Sequence, residues 1–589
     1  MGGSSDPILI LGGGPAGLAA ARELVQNGAR PVVLEARGSV GGIARTEGYK
    51  GYLFDVGGHR FFTKNAAIDR LWHRMMGEDL LRVPRLSRIF FGGKFYRYPL
   101  SIANTLANLG ILESLLILLS YGRARLLPHP EEENFEQWVS NRFGKRLYET
   151  FFKTYTEKVW GIPCRSIRAD WAAQRIRGLS LASAVTNALL GVRRAKSLIE
   201  EFDYPRLGPG MMWERFREAV EAGGGRVRCG CEAVRLTHAG GRITGVGFRE
   251  NGATSTLPAS QIISSVPIDR LVGLLEPQAP PEVRQAAAGL SHRSFLIVVL
   301  IVDRPRLFPD QWIYVHSPTA RVGRIQNFKN WSAAMVPEPE RTSVGMEYFC
   351  DEGDDLWNLS DGELGELAAR ELGELGLTRL DQVVDHCVIR QPDAYPVYDE
   401  GYRDNLAVIQ GYLAGFENLQ TIGRSGMHRY NNMDHSMLTG VLSAQNALGA
   451  RNDLWQVNEE EEYLEEDRGE PAARAPEEVL RRAFARLDKL AFAVAVGSVS
   501  GLLLFAATLW LVVKGGPVVG PNLRLLSQYF AGYTVTVRGS FVAFGYSFLW
   551  GFLFGWLFAY LRNLTLALYV YRIRRRAEAW SLRDLLDQV

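Results

Sequence analysis

Residues 7–17 of this 589-residue chain read PILILGGGPAG, followed by LAAARELVQNG and, at residues 31–35, by PVVLE. The apolar run Pro7–Gly12 predicts a buried strand and the next stretch a helix, so the glycines stand at a strand-to-helix turn. Gly12 permits the tight turn, Gly14 lets the backbone approach a pyrophosphate, and Gly17 lets helix and strand pack closely. Pro15 and Ala16 open the helix, whose unpaired N–H groups attract an anion. The second strand ends in Glu35, followed by Ala36, where a carboxylate accepts hydrogen bonds from an adenosine ribose. A dinucleotide site in a Rossmann-type α/β domain is the expectation.

The segment that follows narrows the cofactor. Residues 41–62, GGIARTEGYKGYLFDVGGHRFF, place Gly41, Gly42, Ile43, Ala44 and Arg45 after the ribose site, then a strand ending in Asp55, then Gly57 and Gly58 before His59. This resembles the extended fingerprint of FAD-dependent proteins of the amine-oxidase and UDP-galactopyranose mutase superfamily. The resemblance implies that the segment crosses the pyrophosphate and lies along a flavin ring, and that FAD rather than NAD is the tightly bound cofactor. At the far end, residues 419–438, LQTIGRSGMHRYNNMDHSML, read as a strand, a turn at Gly423, and a helix starting near Asn432, Met433 and Asp434. In the same superfamily a GR turn before such a helix completes FAD binding, which nominates Arg424, Asn432, Met433 and Asp434.

The string at residues 151–161, FFKTYTEKVWG, resembles the substrate-domain motif of UDP-galactopyranose mutases. Phe151 and Tyr155 are four apart and share a helix face, a sensible platform for a planar base. The resemblance implies substrate contacts for Phe151, Tyr155 and Trp160. Residues 172–178, AAQRIRG, offer Arg175 and Arg177, either of which matches the mutase arginine for the diphosphate. VGRIQNFKNW nominates Arg324, DAYPVYDE nominates Tyr395, and GMHRYNNMD nominates Tyr430. Permanent charges and phenolic hydroxyls suit a diphosphate. Under this resemblance Arg324, together with either Arg175 or Arg177, would stabilise the departing diphosphate, with His59 orienting hydrogen bonds on the flavin side. The chain departs from the family pattern at Phe62, where a second histidine is expected, and at Asn432, where an acid is expected.

Composition bounds the rest. Lys and Arg number 67 against 64 Asp and Glu, a net charge of +3, so nucleic acid is a poor partner. Five cysteines in no CxxC pair argue against a zinc site or a disulfide framework and for reduced thiols; no metal ligand set is nominated. The first residues lack the pattern of a secretory signal. Near the other end, Leu490–Val513 and Ser540–Leu561 are apolar and long enough to cross a bilayer. Basic residues flank the pair outside, Arg481 to Lys489 and Arg562 to Arg576, which predicts cytoplasmic flanks. The inner (cytoplasmic) membrane is the expected location, with the catalytic domain on its cytoplasmic side. Ile102–Leu127 is apolar but interrupted by Glu113, which favours a core or amphipathic helix over a span.

The motifs predict a discontinuous FAD domain from residues 6–63, 211–267 and 406–448, a helical substrate domain at 64–210, and an antiparallel sheet domain at 268–405. An acidic linker (457–489), a membrane hairpin (490–561) and a basic tail (562–589) follow. By analogy, the strand near Val227–Leu236 brings Val234 to the adenine. The expected substrate is a nucleotide-sugar or phosphate-linked sugar, handled through reduced FAD with NAD(P)H as transient reductant, in cell-surface glycan metabolism. Membrane lipid is the second partner, and a homo-oligomer is a candidate state. The rival expectation is a net oxidoreductase of the amine oxidase or protoporphyrinogen oxidase type acting on a hydrophobic or lipid-linked substrate, and a third is a flavin-containing assembly protein without turnover.

Overall fold

The computed structural model describes residues 7–98, 102–169, 201–458, 488–516 and 519–586. Arg175 and Arg177, and most of the acidic linker, lie outside them. The chain divides into two units, 1–467 and 468–589.

The first unit is organised by a five-stranded parallel sheet in the order Leu419–Thr421, Gln261–Ser264, Ile8–Leu11, Val32–Glu35 and Arg226–Cys229. Ile8–Leu11 lies at its centre, and Leu9, Ile10 and Leu11 are fully buried, as both faces of a parallel sheet require. Helix Pro15–Gln26 packs against helix Met433–Ala447, and the approach is close: a Cβ on Gly440 would stand 2.1 Å from the Ala16 carbonyl oxygen. The last helix therefore lies beside the first although more than 400 positions separate them.

A seven-stranded sheet forms the second layer, in the order Val383–Pro396, His292–Val302, Thr342–Cys350, Arg324–Asn327, Trp312–Val315, Ser87–Phe91 and Lys94–Arg97. Its long central strands, His292–Val302 and Thr342–Cys350, are buried almost throughout. Two features differ from the expected antiparallel sheet of residues 268–405. Ser87–Phe91 and Lys94–Arg97 come from the segment expected to be helical, and Ser87–Phe91 joins Trp312–Val315 in parallel. The hairpin closes on Gly92 and Gly93, both at positive φ (56° and 73°), a two-residue turn suited to the twist of paired strands.

The stretch expected as one strand near Val234 is two. Gly230, at φ 71°, separates Arg226–Cys229, on the edge of the parallel sheet, from Cys231–Ala239, which pairs with Arg242–Glu250. Val234 falls where the register slips between Ala233 and Arg235. Ile102–Leu109 and Ile111–Leu126 are likewise two helices, parted at Gly110.

In the second unit helix Lys489–Lys514 and the stretch Val537–Thr565 of helix Val537–Leu586 are long and apolar enough to cross a membrane. They touch through small residues: a Cβ on Gly551 would lie 3.0 Å from Gly497 Cα, and one on Gly501 2.9 Å from the Phe544 ring. Across the pair Ser547 Oγ donates to the Ser500 carbonyl (3.0 Å), and Thr508 Oγ1 meets the Tyr533 hydroxyl of the connecting segment (2.9 Å). Leu503, Trp510, Trp550 and Phe554 point outward, each at least 64% exposed, so these are not buried core helices. The second helix does not stop at Leu561: it continues to Leu586, about 75 Å in all at 1.5 Å per residue, so the basic tail prolongs it.

Candidate active site

A cavity of about 750 Å³ runs through the first unit from the glycine turn to the aromatic residues of the large sheet. Its two ends are made differently.

At the glycine end the wall is main chain. Gly12 has φ 103°, and a Cβ there would strike Ser265 Oγ; a Cβ on Gly17 would stand 1.9 Å from the Gly12 carbonyl oxygen. Gly14 and Gly42 face each other, a Cβ on Gly42 reaching 3.3 Å from Gly14 Cα. Helices Pro15–Gln26 and Met433–Ala447 both start at this cavity, at Gly14 and Asn432, and neither N-terminus is capped by a side chain. Two uncapped N-termini are two places for negative charge. Glu35 lines the same end; its carboxylate accepts from Gly13 N (2.6 Å) and Arg37 N (2.8 Å), which fixes its orientation.

The expected cofactor residues Gly12, Gly14, Pro15, Ala16, Glu35, Ala36, Gly42, Ile43, Ala44, Gly57, Gly58, His59, Gly423, Arg424, Asn432 and Met433 all line the cavity. Gly17, Arg45, Val234 and Asp434 do not. Gly17 acts by packing, as above. Arg45 is buried and turns back, donating to the Gly42 carbonyl (3.0 Å) and Gln391 Oε1 (2.8 Å), so it braces the turn. Cys231, Glu232 and Ala233 line the wall instead of Val234, which the register slip sets aside. Asp434 is buried one residue behind Met433, in the first turn of its helix.

His59 sits between the two ends. Its Nδ1 lies 2.9 Å from the Gly57 carbonyl, an acceptor, so Nδ1 carries the hydrogen and Nε2 is left as an acceptor. Burial, with Arg424 and Arg324 nearby, pulls its pKa down to about 3, so the ring is neutral at ordinary pH.

At the other end side chains make the wall. Tyr395 and Tyr430 stack (5.6 Å between centroids, 18°), Trp160 lies 6.4 and 6.1 Å from them, and the Arg424 guanidinium sits over Tyr430 (4.8 Å) and Tyr395 (5.6 Å). Arg424 is held by the Asn431 carbonyl (2.9 Å). Arg324 opens its strand and places Nη2 3.5 Å from Tyr395 OH. Burial pushes the Tyr395 phenol up to about 12 and raises the Tyr155 phenol well above the ordinary tyrosine range, so both are O–H donors at neutral pH. Glu347, fully buried on the neighbouring strand, accepts from Arg324 Nε (2.8 Å) and Nη2 (2.5 Å), offsetting its charge. Sequence reasoning missed Glu347, which meets Arg324 only through strand register.

The motif at 151–161 divides its labour. Phe151, Tyr155 and Trp160 line the cavity, but Phe151 does not form the expected platform with Tyr155. The Glu149–Lys153 stretch is π-helical, which disturbs the i,i+4 alignment, and Phe151 packs on Tyr96 (5.1 Å) and Phe91 (5.7 Å). Tyr155 instead stacks on His316 (4.7 Å, 11°), a residue no sequence signal marked. Lys158 points away from the cavity, its Nζ donating to the carbonyls of Val315, Ser317, Ala320 and Val322 at 2.8–3.1 Å, which fastens the loop carrying His316. Glu157 accepts from Cys164 N (3.1 Å), and Gly161 ends the helix at φ 69° against the Arg293 guanidinium.

The glycine-built end fits FAD: opposed backbone walls without side chains, two uncapped helix N-termini and the Glu35 carboxylate suit a pyrophosphate, an electron-rich ring edge and a ribose. The chain belongs to the flavin-containing amine oxidoreductase family, whose model matches residues 15–448, and it is a FAD-dependent enzyme. Among solved structures it is similar to a reduced UDP-galactopyranose mutase at TM-score 0.68 and 22% identity, over 78% of this chain and 98% of that one. An Exiguobacterium protein assigned as a protoporphyrinogen oxidase matches at TM-score 0.57 and 18% identity, over 76% of this chain and 100% of that one. Wild-type putrescine oxidase with bound putrescine matches at TM-score 0.50 and 18% identity, over 76% and 99%. Identities this low carry the fold and leave the substrate to the chain's own residues.

Proposed function

From membership of that family we propose that the chain is a membrane-anchored flavoenzyme acting on a nucleotide-sugar or phosphate-linked sugar in cell-surface glycan metabolism. The observation that carries this reading is the clamp of Arg324, Arg424, Tyr395, Tyr430 and Trp160 at the end of the cavity beyond His59. When bound, the flavin supplies the redox or nucleophilic centre, with NAD(P)H as its transient reductant. The chain's part is to bind and orient. Tyr395 and Tyr430 hydroxyls and the two guanidinium groups meet phosphate oxygens. Because Glu347 offsets Arg324, Arg424 supplies the clamp's uncompensated positive charge among the described residues just named. Arg175 or Arg177 is the further phosphate ligand under this reading. The Tyr155–His316 stack offers a flat face to a planar base. Neutral His59 accepts a hydrogen bond through Nε2 and does not act as an acid. The UDP-galactopyranose mutase neighbour supports this reading, and so do the two apolar helices, whose basic flanks favour a cytoplasmic catalytic body at the inner membrane.

A second reading rests on a specific observation too. Ile89, Phe135, Phe152, Val159 and Phe349 give the same cavity an apolar wall, which suits an oxidoreductase of a hydrophobic or lipid-linked substrate. Anaerobic reduction of the purified protein, followed by UDP-hexoses, separates the two. A spectral shift of the reduced flavin with an isomerised sugar product supports the first. No response to any UDP-sugar, with flavin reoxidised by oxygen or a quinone during turnover of a lipid, overturns it for the second.

A further inference from the structure

Helix Ile111–Leu126 keeps an unusual outer face. Leu112, Leu115, Leu119 and Leu126 fall at i, i+3, i+7 and i+14, one stripe of the helix, and they are 75, 52, 70 and 82% exposed. Leu118 and Leu127 widen the stripe. The opposite face is anchored: Ser114 and Ile117 are buried, and Ile117 belongs to the apolar cluster of Ile89, Phe135 and Phe151, which line the cavity. The helix is also pinned along its flank. A Cβ on Gly144 would stand 2.7 Å from Tyr121 N, and Arg146 takes Glu113 in a two-pronged pair at 2.5 and 2.7 Å.

That pair matters for charge. Glu113 is the helix's one acid, and Arg146 holds its carboxyl below the usual carboxylate range. What remains on the outer surface is leucine, with exposed Arg123, Arg125 and Lys145 around the C-terminal half. Glu131 to Glu133 begin only in the following turn, where Glu132 is paired with Arg142 (2.6 Å). A rigid helix with a broad apolar stripe and a cationic margin matches a helix lying in the headgroup boundary of a bilayer with anionic lipid. The chain also carries two helices of membrane-spanning length, so the catalytic body is tethered where such a surface is at hand.

We propose that helix Ile111–Leu126 docks the catalytic body on an anionic lipid surface, its leucine stripe in the acyl boundary and Arg123, Arg125 and Lys145 at the lipid phosphates. Docking brings the wall shared by Ile117, Phe135 and Phe151 within one helix of the bilayer. This does not depend on which substrate the cavity takes.

The test uses the full chain in nanodiscs of mixed phosphatidylcholine and phosphatidylglycerol, spin-labelled at Leu119→Cys, with Leu380→Cys, 62% exposed elsewhere on the body, as the aqueous reference. The unsubstituted protein reports labelling of its own cysteines. Retained flavin absorbance shows that the variant is folded, and Leu115→Cys replaces Leu119→Cys if it is not. Collision with oxygen relative to a water-soluble nickel chelate is expected to be at least about threefold higher at position 119 than at 380, with the difference shrinking when phosphatidylglycerol is omitted. Equal ratios at the two positions overturn the proposal. Immersion that ignores phosphatidylglycerol overturns its electrostatic half. Dipolar broadening between labels in lipid-free detergent shows that a second copy covers the stripe, and overturns it in favour of a protein partner.

Discussion

Around Gly12 to Gly17 the cavity is walled mostly by main chain, and apart from the Glu35 carboxylate its specific features are missing side chains and uncapped helix N-termini. Around Tyr155 and Tyr430 it is walled by rings, phenols and guanidinium groups that arrive from five different strands, helices and turns. The first wall has little room for added side chains and selects a ligand by shape and dipole. The second selects by a small number of hydrogen bonds, each replaceable at modest cost. Under the proposed function one end of the cavity sets the cofactor and the other the substrate, and damage to each should read out separately.

The sharpest way to break that division is Gly14→Val. A Cβ added at Gly14 would have Gly42 Cα as its nearest neighbour across the cleft, at 3.7 Å, so the first carbon fits but the valine methyls fill the cofactor's path. Flavin binding is expected to weaken at least about 100-fold, near 2.7 kcal/mol, with secondary structure retained; bound flavin per protein after gel filtration measures it. Gly17→Val should differ in kind, preventing folding because its Cβ meets the Gly12 carbonyl.

Lys158→Met tests whether the string at 151–161 is half scaffold. Losing the ammonium leaves four carbonyls without their shared donor and should cost about 3 kcal/mol in unfolding free energy, read by denaturant titration, while the folded fraction still binds flavin. Tyr430→Phe removes one hydroxyl at the far end and leaves the stack. Ligand affinity should fall by up to about tenfold with flavin content unchanged.

A further expected effect lies in the pH dependence of stability. Burial raises the Asp55 pKa from 3.8 to about 8, against the opposing pull of the Tyr204 and Thr46 hydroxyls. A carboxyl that stays protonated in the fold but ionises when unfolded makes folding take up a proton between those values, so stability from this group falls as pH rises from about 4 to 8. Asp55→Asn should flatten that slope in melting curves; an unchanged slope would place its origin elsewhere.

The main-chain end was legible in the sequence because a backbone constraint leaves glycines at fixed spacing, and PILILGGGPAG with Glu35 downstream carries that constraint in linear order. The side-chain end was legible only where one contiguous string held several of its members, as at Tyr155 and Trp160. Glu347, His316 and Gln391 reach the cavity region through register and loop closure, and nothing in their neighbours along the chain marks them. Lys158 is wrapped by a loop 157 to 164 residues further along the chain, which nothing beside it in the sequence marks. The strands at 87–97 carry a signal of their own: SRIFFGGKFYR sets a two-glycine hairpin turn between apolar runs, hidden by the helical reading of its surroundings. Val234 shows the limit of counting along a strand, since one register slip moves its predecessor into its place.

The central claim, that one end of the cavity holds flavin and the other a phosphate-bearing ligand, is tested most directly by calorimetric titration of UDP into the flavin-loaded protein and its Arg324→Met variant, with flavin content measured on the same samples. The account predicts equal flavin content and UDP affinity at least about tenfold weaker in the variant, the loss of charge-assisted hydrogen bonds. Equal UDP affinity in both proteins, or no UDP binding by either, would contradict it.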